Sequence, residues 1–567
     1  MLRLISFRIF LIIIFVNLNI ASVLPASKKP VHAKNGMVVS ASKIASQVGV
    51  DILKQGGNAV DAAVAVGFAL AVTYPYAGNI GGGGFMVIHL RNGENTTIDY
   101  REKAPLKAFR DMFLDKHGNF DPSLSQQGAT SAGVPGSVAG MLYTLNKYGT
   151  MKLSQVIQPA IDLAKNGFTL DYNTAESFKE YLKDFEKYPA SYKKFTDNGK
   201  PYKAGDIFKQ PNLAKTLELI KEKGRDGFYK GRIAELLVKE IKSLGGYIST
   251  GDLEKYQPVE RKPVTGSYRG YEIVSMPPPS SGGIALVELL NILENYHFKN
   301  DEWGSSMYIH KLAEAMKYVY ADRTIYLGDP DFYPVPEKGL ISKEYAKTIF
   351  EKIKDYAVPA RDISAGKPVK YQESSETTHY SIYDKYGNAV STTTTLNSAY
   401  GSKIVVPGAG FLLNNEMDDF SAKPGVPNQF GLRGSEANSI APQKRMLSSM
   451  TPTIVLKDGR PYIIIGSPGG STIITVVLQV ILNCIDFNMN IRQAIDAPRI
   501  HDQWLPDEIY TEKFGVPLDV KENLEKMGYK FGETRSLGLA EGIMIDNKSG
   551  EIFGASDPRG SGAAIGY

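Results

Sequence analysis

Thr377 and Thr395 bracket the stretch of this chain with the most chemical content. The first arm is Thr377-Thr378-His379-Tyr380-Ser381-Ile382-Tyr383, followed by Asp384-Lys385-Tyr386-Gly387-Asn388. The second arm is Ala389-Val390-Ser391, the threonines Thr392 to Thr395, and Leu396-Asn397. Apolar and polar residues alternate on both arms, which predicts a β-hairpin. A short loop with Gly387 in the left-handed position, a type I turn with a G1 bulge, sets Thr377 opposite Thr395 on one face of the sheet. A strand-initial threonine with a second hydroxyl beside it suits a nucleophile whose amine is freed by chain cleavage. The amine takes the hydroxyl proton and the oxygen attacks a carbonyl. Threonine is also a good strand former, and cross-strand threonine pairs are common packing features. Taken alone, the hairpin favours ordinary packing; what overturns that reading lies downstream.

The surrounding elements must position this hairpin. Pro359 to Glu376 is polar and aperiodic, which predicts an exposed, protease-accessible linker ending immediately before Thr377. Upstream, 42–55 and 59–71 read as helices, and the glycine run Gly81 to Gly84 leads into a strand at 85–90. Those glycines permit close backbone packing; no Lys-Ser/Thr follows, so a P-loop is excluded. The region 153–346 is mostly helical, with helices expected at 154–166, 213–223, 233–244, 284–296 and 307–320, and a strand at 271–275. Further helices are expected at 472–484 and 517–527. The long loop from Lys423 to Arg445 has the character of a lid.

The chain has 567 residues, 43% hydrophobic and 22% charged, as in soluble globular proteins. Its 65 basic against 60 acidic residues are too balanced to argue for nucleic acid or an anionic membrane as partner. Residues 1–26 have a basic start with Arg3 and Arg8, an apolar run from Ile9 to Leu18, and small residues after it. That predicts a signal peptide of uncertain end, weighed against an uncleaved signal anchor, and an exported, periplasmic or secreted protein. A single cysteine, Cys484, excludes an intrachain disulfide and reads as a core residue.

Four C-terminal segments add to the hairpin. They are the acidic turn Asn414-Asn415-Glu416-Met417-Asp418-Asp419-Phe420, the hydroxyl pair in Lys444-Arg445-Met446-Leu447-Ser448-Ser449, the turn Gly466-Ser467-Pro468-Gly469-Gly470-Ser471-Thr472, and Ala555-Ser556-Asp557-Pro558-Arg559. The glycine turn can aim N–H groups at an anion. Upstream stand Gln55-Gly56-Gly57-Asn58-Ala59-Val60-Asp61, Asp99-Tyr100-Arg101-Glu102-Lys103-Ala104-Pro105, Gly133-Val134-Pro135-Gly136-Ser137 and Pro277 to Gly283. In this order, over nearly the whole chain, they resemble the γ-glutamyltransferases (γ-glutamyl transpeptidase, glutathione hydrolase).

The resemblance implies an α+β fold, the four-layer αββα sandwich of N-terminal-nucleophile hydrolases, built jointly by two subunits of a self-cleaved precursor. The large subunit would be 27–376 and the small, catalytic one 377–567. It implies Thr377 as nucleophile, Thr395 as its supporting hydroxyl, and Gly469 and Gly470 as the oxyanion hole. Arg101, Ser448 and Ser449 would hold the substrate α-carboxylate; Asn397, Glu416 and Asp419 would hold its α-amine. These residue types suit a zwitterion: a cation with hydroxyl donors for one end, carboxylates for the other. The implied reaction is hydrolysis or transfer of the γ-glutamyl group of glutathione and related compounds, through an ester on Thr377, to water or to amino acid and dipeptide acceptors. It needs no cofactor and no metal, and the seven histidines show no ligand spacing. His379 reads as packing rather than as the base.

Three positions depart from the family's pattern. Phe430 stands where a tyrosine is frequent, Met446 where a proline is usual, and Thr394 where an aromatic is common. They bear on lid behaviour and on the ratio of hydrolysis to transfer. The competing readings are a related self-cleaving amidohydrolase such as a glutaryl-β-lactam acylase, and an unprocessed paralogue that only binds. Arg101, Glu416, Asp419 and both serines argue against the first; the Thr377/Thr395 pair argues against the second.

Overall fold

The hairpin adopts the expected register: Thr378 pairs with Thr394, His379 with Thr393 and Tyr383 with Ala389. Continuing that ladder by one residue carries Thr377 to the position opposite Thr395. Gly387 has φ 95° at the turn, a conformation that costs glycine little. The computed structural model describes residues 27–363 and 377–567. The expected signal peptide, and the linker from residue 364 to Glu376, lie outside the described residues.

The hairpin is the centre of a seven-stranded antiparallel sheet. The order across it is Ala563–Gly566, Met37–Ser40, Thr378–Tyr383, Ala389–Thr395, Gly83–His89, Asn95–Asp99 and Val259–Arg261. Strands from both sides of the expected cleavage point are therefore mixed in one sheet. A second seven-stranded sheet runs Val31–Ala33, Ile552–Ser556, Glu541–Ile545, Arg460–Gly466, Thr453–Lys457, Tyr271–Ser275 and Val264–Tyr268. The two sheets stack face to face. Phe85, Val87, Val274, Met276, Ile454, Ile464 and Ile543 fill the space between them. Each such fully buried side chain contributes about 1.5–3 kcal/mol relative to exposure.

Helices cover the outer faces, which completes the αββα layering. Ala59–Thr73 packs on the hairpin sheet and is buried on every side, as its predominantly apolar sequence requires. It starts at a capping box: Asn58 Oδ1 accepts from the Asp61 N–H, and Asp61 Oδ2 accepts from the Asn58 N–H. Gly282–Leu293, Ser306–Tyr326 and Ile473–Ile485 cover the other sheet. Most expected elements lie within a residue or two of the observed ones. The helix expected to end at 296 stops at Leu293, and the one expected to end at 320 continues to Tyr326. Its last turn was missed because Asp322 and Arg323 look like a polar exit, whereas both are buried. The segment 423–445 is irregular apart from a short turn at Glu436–Asn438.

Candidate active site

Thr377, Thr395, Asn397, Arg101, Glu416, Asp419, Ser448, Ser449 and Gly470 line one small cleft, together with Phe430 and Arg323. They arrive on several elements far apart in the chain, so the cleft is a product of tertiary packing. The adjoining Gly469 completes the set read from the sequence.

Thr377 enters from the start of the central hairpin and is 5% exposed. Thr395, across from it, is pinned through both backbone and side chain: Asn79 Nδ2 donates to Thr395 O at 2.8 Å, and the N–H of Asn397 donates to Thr395 Oγ1 at 2.7 Å. Asn79 Oδ1 in turn accepts from the Gly82 N–H at 2.8 Å and from Ser137 Oγ at 2.7 Å. The glycine run is thus a packing device. A Cβ on Gly82 would lie 2.1 Å from Thr395 O, so no side chain fits there.

The turn at Gly469-Gly470 ends a strand of the second sheet and leads into the helix Ile473–Ile485. Gly469 has φ 137° and Gly470 φ 55°, and Thr472 Oγ1 donates to Gly469 O at 2.7 Å. Among the described residues neither glycine N–H donates to another group. Gly470 lines the cleft with Thr377, and its amide is not spent on another described group.

The polar end of the cleft is an ion-pair cluster. Arg101 Nη1 pairs with Glu416, Nη2 pairs with Asp419 Oδ2 at 2.5 Å, and Nε donates to Met446 O at 3.3 Å. Glu102 Oε2 lies 3.6 Å from Arg101 Nη1. Burial works against the Arg101 charge, but Glu416, Asp419 and Glu102 more than offset it and hold its pKa above the ordinary value. Burial raises Glu416 well above the usual carboxylate range despite Arg101, with Glu102 and Asp419 adding to the rise. Asp419 is raised for the same reason, and Glu102 is pushed up to about 7. Among the described residues no donor reaches Glu416 Oε2 or either oxygen of Glu102. Three carboxylates thus surround one guanidinium, with acceptor capacity to spare for a cation.

Ser448 and Ser449 are both buried. Ser448 Oγ accepts from the Met450 N–H at 3.1 Å, and Ser449 Oγ accepts from Arg323 Nη2 at 3.0 Å. A hydroxyl that accepts from a fixed donor keeps its proton for another acceptor. Both serines can therefore donate into the cleft. Arg323 was not singled out in the sequence, because the helix carrying it was expected to end three residues earlier.

His379 is fully buried between the sheets, its Nδ1 bonded to Thr393 Oγ1 at 2.9 Å and its Nε2 to Ser381 Oγ at 3.1 Å. Burial pulls its pKa down to about 3, so it stays neutral, as expected of a packing residue. Cys484 is buried in the helix Ile473–Ile485, and burial pushes its thiol up, which leaves it unreactive. No helix among the described residues is long and apolar enough to cross a membrane.

Comparison with known proteins agrees with this geometry. The family model described as Gamma-glutamyltranspeptidase matches residues 45–567. The chain is 53% identical to the glutathione hydrolase proenzyme of Escherichia coli (strain K12) over 532 residues, 94% of this chain and 91% of that one. The crystal structure of Helicobacter pylori gamma-glutamyltranspeptidase matches at TM-score 0.58 and 52% identity, covering 62% of this chain and 100% of that chain. The crystal structure of a cephalosporin acylase from Bacillus halodurans matches at TM-score 0.85 but 27% identity, covering 96% and 98%. The fold is thus shared with acylases, and sequence identity is higher to the Escherichia coli glutathione hydrolase proenzyme, at 53%, than to the Acylase ACY 1 proenzyme of Pseudomonas sp. (strain SE83), at 36%.

Proposed function

The chain belongs to the gamma-glutamyltranspeptidase family, and we propose on that premise that it hydrolyses and transfers γ-glutamyl groups, glutathione among its donors, with Thr377 as nucleophile. The observation that carries this reading is the single cleft shared by Thr377, the Arg101–Glu416–Asp419 cluster and the Ser448-Ser449 pair. A hydroxyl at one end and a zwitterion-sized set of charges at the other match a γ-carbonyl and an amino acid head group.

The chain is first a proenzyme. Thr377 Oγ attacks the carbonyl of Glu376, the Glu376–Thr377 peptide bond breaks, and water hydrolyses the resulting ester. This leaves a large subunit, 27–376, and a small one, 377–567, with a free amine on Thr377. The interleaved strands of the two parts keep them together as a heterodimer. Residues 1–26 direct export to the periplasm or the medium.

In the mature enzyme the donor's ammonium takes Glu416, Asp419 and the side-chain oxygen of Asn397. Its carboxylate takes Arg101, Ser448 and Ser449. The ligand replaces existing ion pairs, so the net charge of the cleft is unchanged. The Thr377 amine accepts the hydroxyl proton as Oγ attacks the γ-carbonyl, and Thr395 steadies that oxygen. The oxyanion meets the amides of Gly469 and Gly470, each such donor contributing about 3–4 kcal/mol to the transition state. The C–N bond breaks and the amine leaves with the proton. Water or an acceptor amine then cleaves the ester.

A denaturing gel with N-terminal sequencing tests the reading. Wild type gives two bands, the smaller beginning Thr-Thr-His-Tyr-Ser, and Thr377→Ala gives one. Intact mass after a brief pulse of γ-glutamyl donor shows the acyl adduct on the small subunit. Normal cleavage of Thr377→Ala would overturn the assignment of the nucleophile.

A further inference from the structure

Arg101 and Arg323 both border the cleft; Arg101 is ion-paired at close range, whereas Arg323 feels Asp419 only from beyond ion-pair contact. Arg101 faces Glu416, Asp419 and Glu102. Arg323 makes no ion pair within 4 Å among the described residues, although it is only 4% exposed. Its Nε donates to Ser281 Oγ at 3.0 Å and its Nη2 to Ser449 Oγ at 3.0 Å, and among the described residues no acceptor meets Nη1. A buried guanidinium whose carboxylate neighbour lies beyond ion-pair contact gains from an anion that reaches it. Burial lowers its pKa to about 10, so it remains cationic at neutral pH.

The contacts of Arg323 also organise both serines. Ser281, held by Arg323 Nε, sends its N–H and its hydroxyl to Ser448 O, each at 2.7 Å. The Ser448 N–H donates to Pro279 O at 2.9 Å, and Ser280 Oγ donates to Met450 O at 2.6 Å. The segment Pro277–Ser281 is thus zipped along Ser448–Met450, and Arg323 is the brace across the join. Because arginine only donates, its bond to Ser449 compels that hydroxyl to point its proton elsewhere.

We propose that Arg323 is the positioning residue of the carboxylate subsite. It fixes Ser449 as a donor and, through Ser281, anchors the Ser448 backbone, and it adds a second positive charge that helps draw a carboxylate-bearing head group into a cleft otherwise rich in acid. This inference rests on the γ-glutamyl reading and deepens it: the subsite takes donors with a free α-carboxylate and discriminates against those without one.

The test compares two chromogenic donors, L-γ-glutamyl-p-nitroanilide and 4-aminobutanoyl-p-nitroanilide, which differ only in the α-carboxylate. Two bands on a denaturing gel establish that each variant has folded and matured. In Arg323→Gln the ratio of kcat/KM for the first donor over the second falls ~10-fold or more, the loss residing in KM, as for a lost charge-assisted contact. Arg323→Lys keeps the charge but loses the fork, and recovers part of the ratio. Should Arg323→Gln fail to accumulate, Arg323→Lys is read alone, with an intermediate ratio expected. A ratio equal to wild type in a matured variant, or an equal fall for both donors through kcat, overturns the proposal and leaves a structural brace. Wild type that cleaves neither donor would sink the γ-glutamyl reading itself, and the inference with it.

Discussion

Asn428 Nδ2 donates to Asp419 Oδ1 at 3.1 Å, so the loop over the cleft is tied to a carboxylate within it. Two residues further on, Phe430 lines the cleft and is 5% exposed. The neighbouring Gln429 N–H donates to Asp418 Oδ2 at 2.9 Å, a second tie between lid and acidic turn. A closed lid protects a reactive ester from water. Asn428→Ala is therefore expected to raise free glutamate over γ-glutamyl dipeptide by roughly 2–10-fold, the worth of one such hydrogen bond. Phe430→Tyr adds a hydroxyl at the closure and should move the ratio the other way. Product analysis at fixed donor and acceptor reads both, and identical ratios in all three proteins would remove the lid from the partitioning step.

Arg101→Lys should keep a positive charge among Glu102, Glu416 and Asp419 but lose the geometry that serves Glu416 and Asp419 at once. KM for a γ-glutamyl donor is expected to rise by roughly tenfold or more, with maturation intact, since lysine cannot reproduce paired charge-assisted bonds. Steady-state kinetics on the matured variant decide the matter; an unchanged KM would mean that Arg101 does not meet the carboxylate.

Gly469→Ala is expected to damage both maturation and turnover. The residue has φ 137°, and a Cβ there would lie 2.4 Å from Thr472 Oγ1. Displacing one oxyanion donor costs about 10²–10³ in kcat. The gel should show slowed appearance of the two subunits, and the matured fraction a low kcat with little change in KM. Full activity in this variant would move the oxyanion hole elsewhere.

His379 makes stability depend on pH. Its folded pKa is depressed by burial from 6.5 to about 3. A histidine buried neutral binds fewer protons than in the unfolded chain, so it favours folding above pH 6.5, and that contribution is lost as pH falls from there toward about 3. The slope is at most ~1.4 kcal/mol per pH unit for one proton. His379→Gln, a neutral side chain of similar reach, should be less stable at pH 7.5 but lose less stability between pH 7 and pH 5. Urea unfolding at both pH values is the measurement, and parallel losses in the two proteins would show that His379 does not titrate on unfolding.

The sequence by itself determined the hairpin and its register, because strand alternation and the Gly387 turn are local effects that leave one pairing of Thr378 with Thr394. It also determined the order of segments that marks the family, and most helices, whose periodicity is written within each segment. Tertiary structure alone decided which side chains meet. Asn79 reaching Thr395, Glu416 and Asp419 closing on Arg101, and Ser281 braced to Ser448 join residues far apart in the chain. No periodicity encodes such contacts; they follow from stacking two sheets and turning their loops to one end. Arg323 shows the difference most clearly. In the sequence it is one charge at the fading end of a helix; in the fold, it is buried against Ser281 and Ser449 at the edge of the cleft, which makes it a candidate positioning residue.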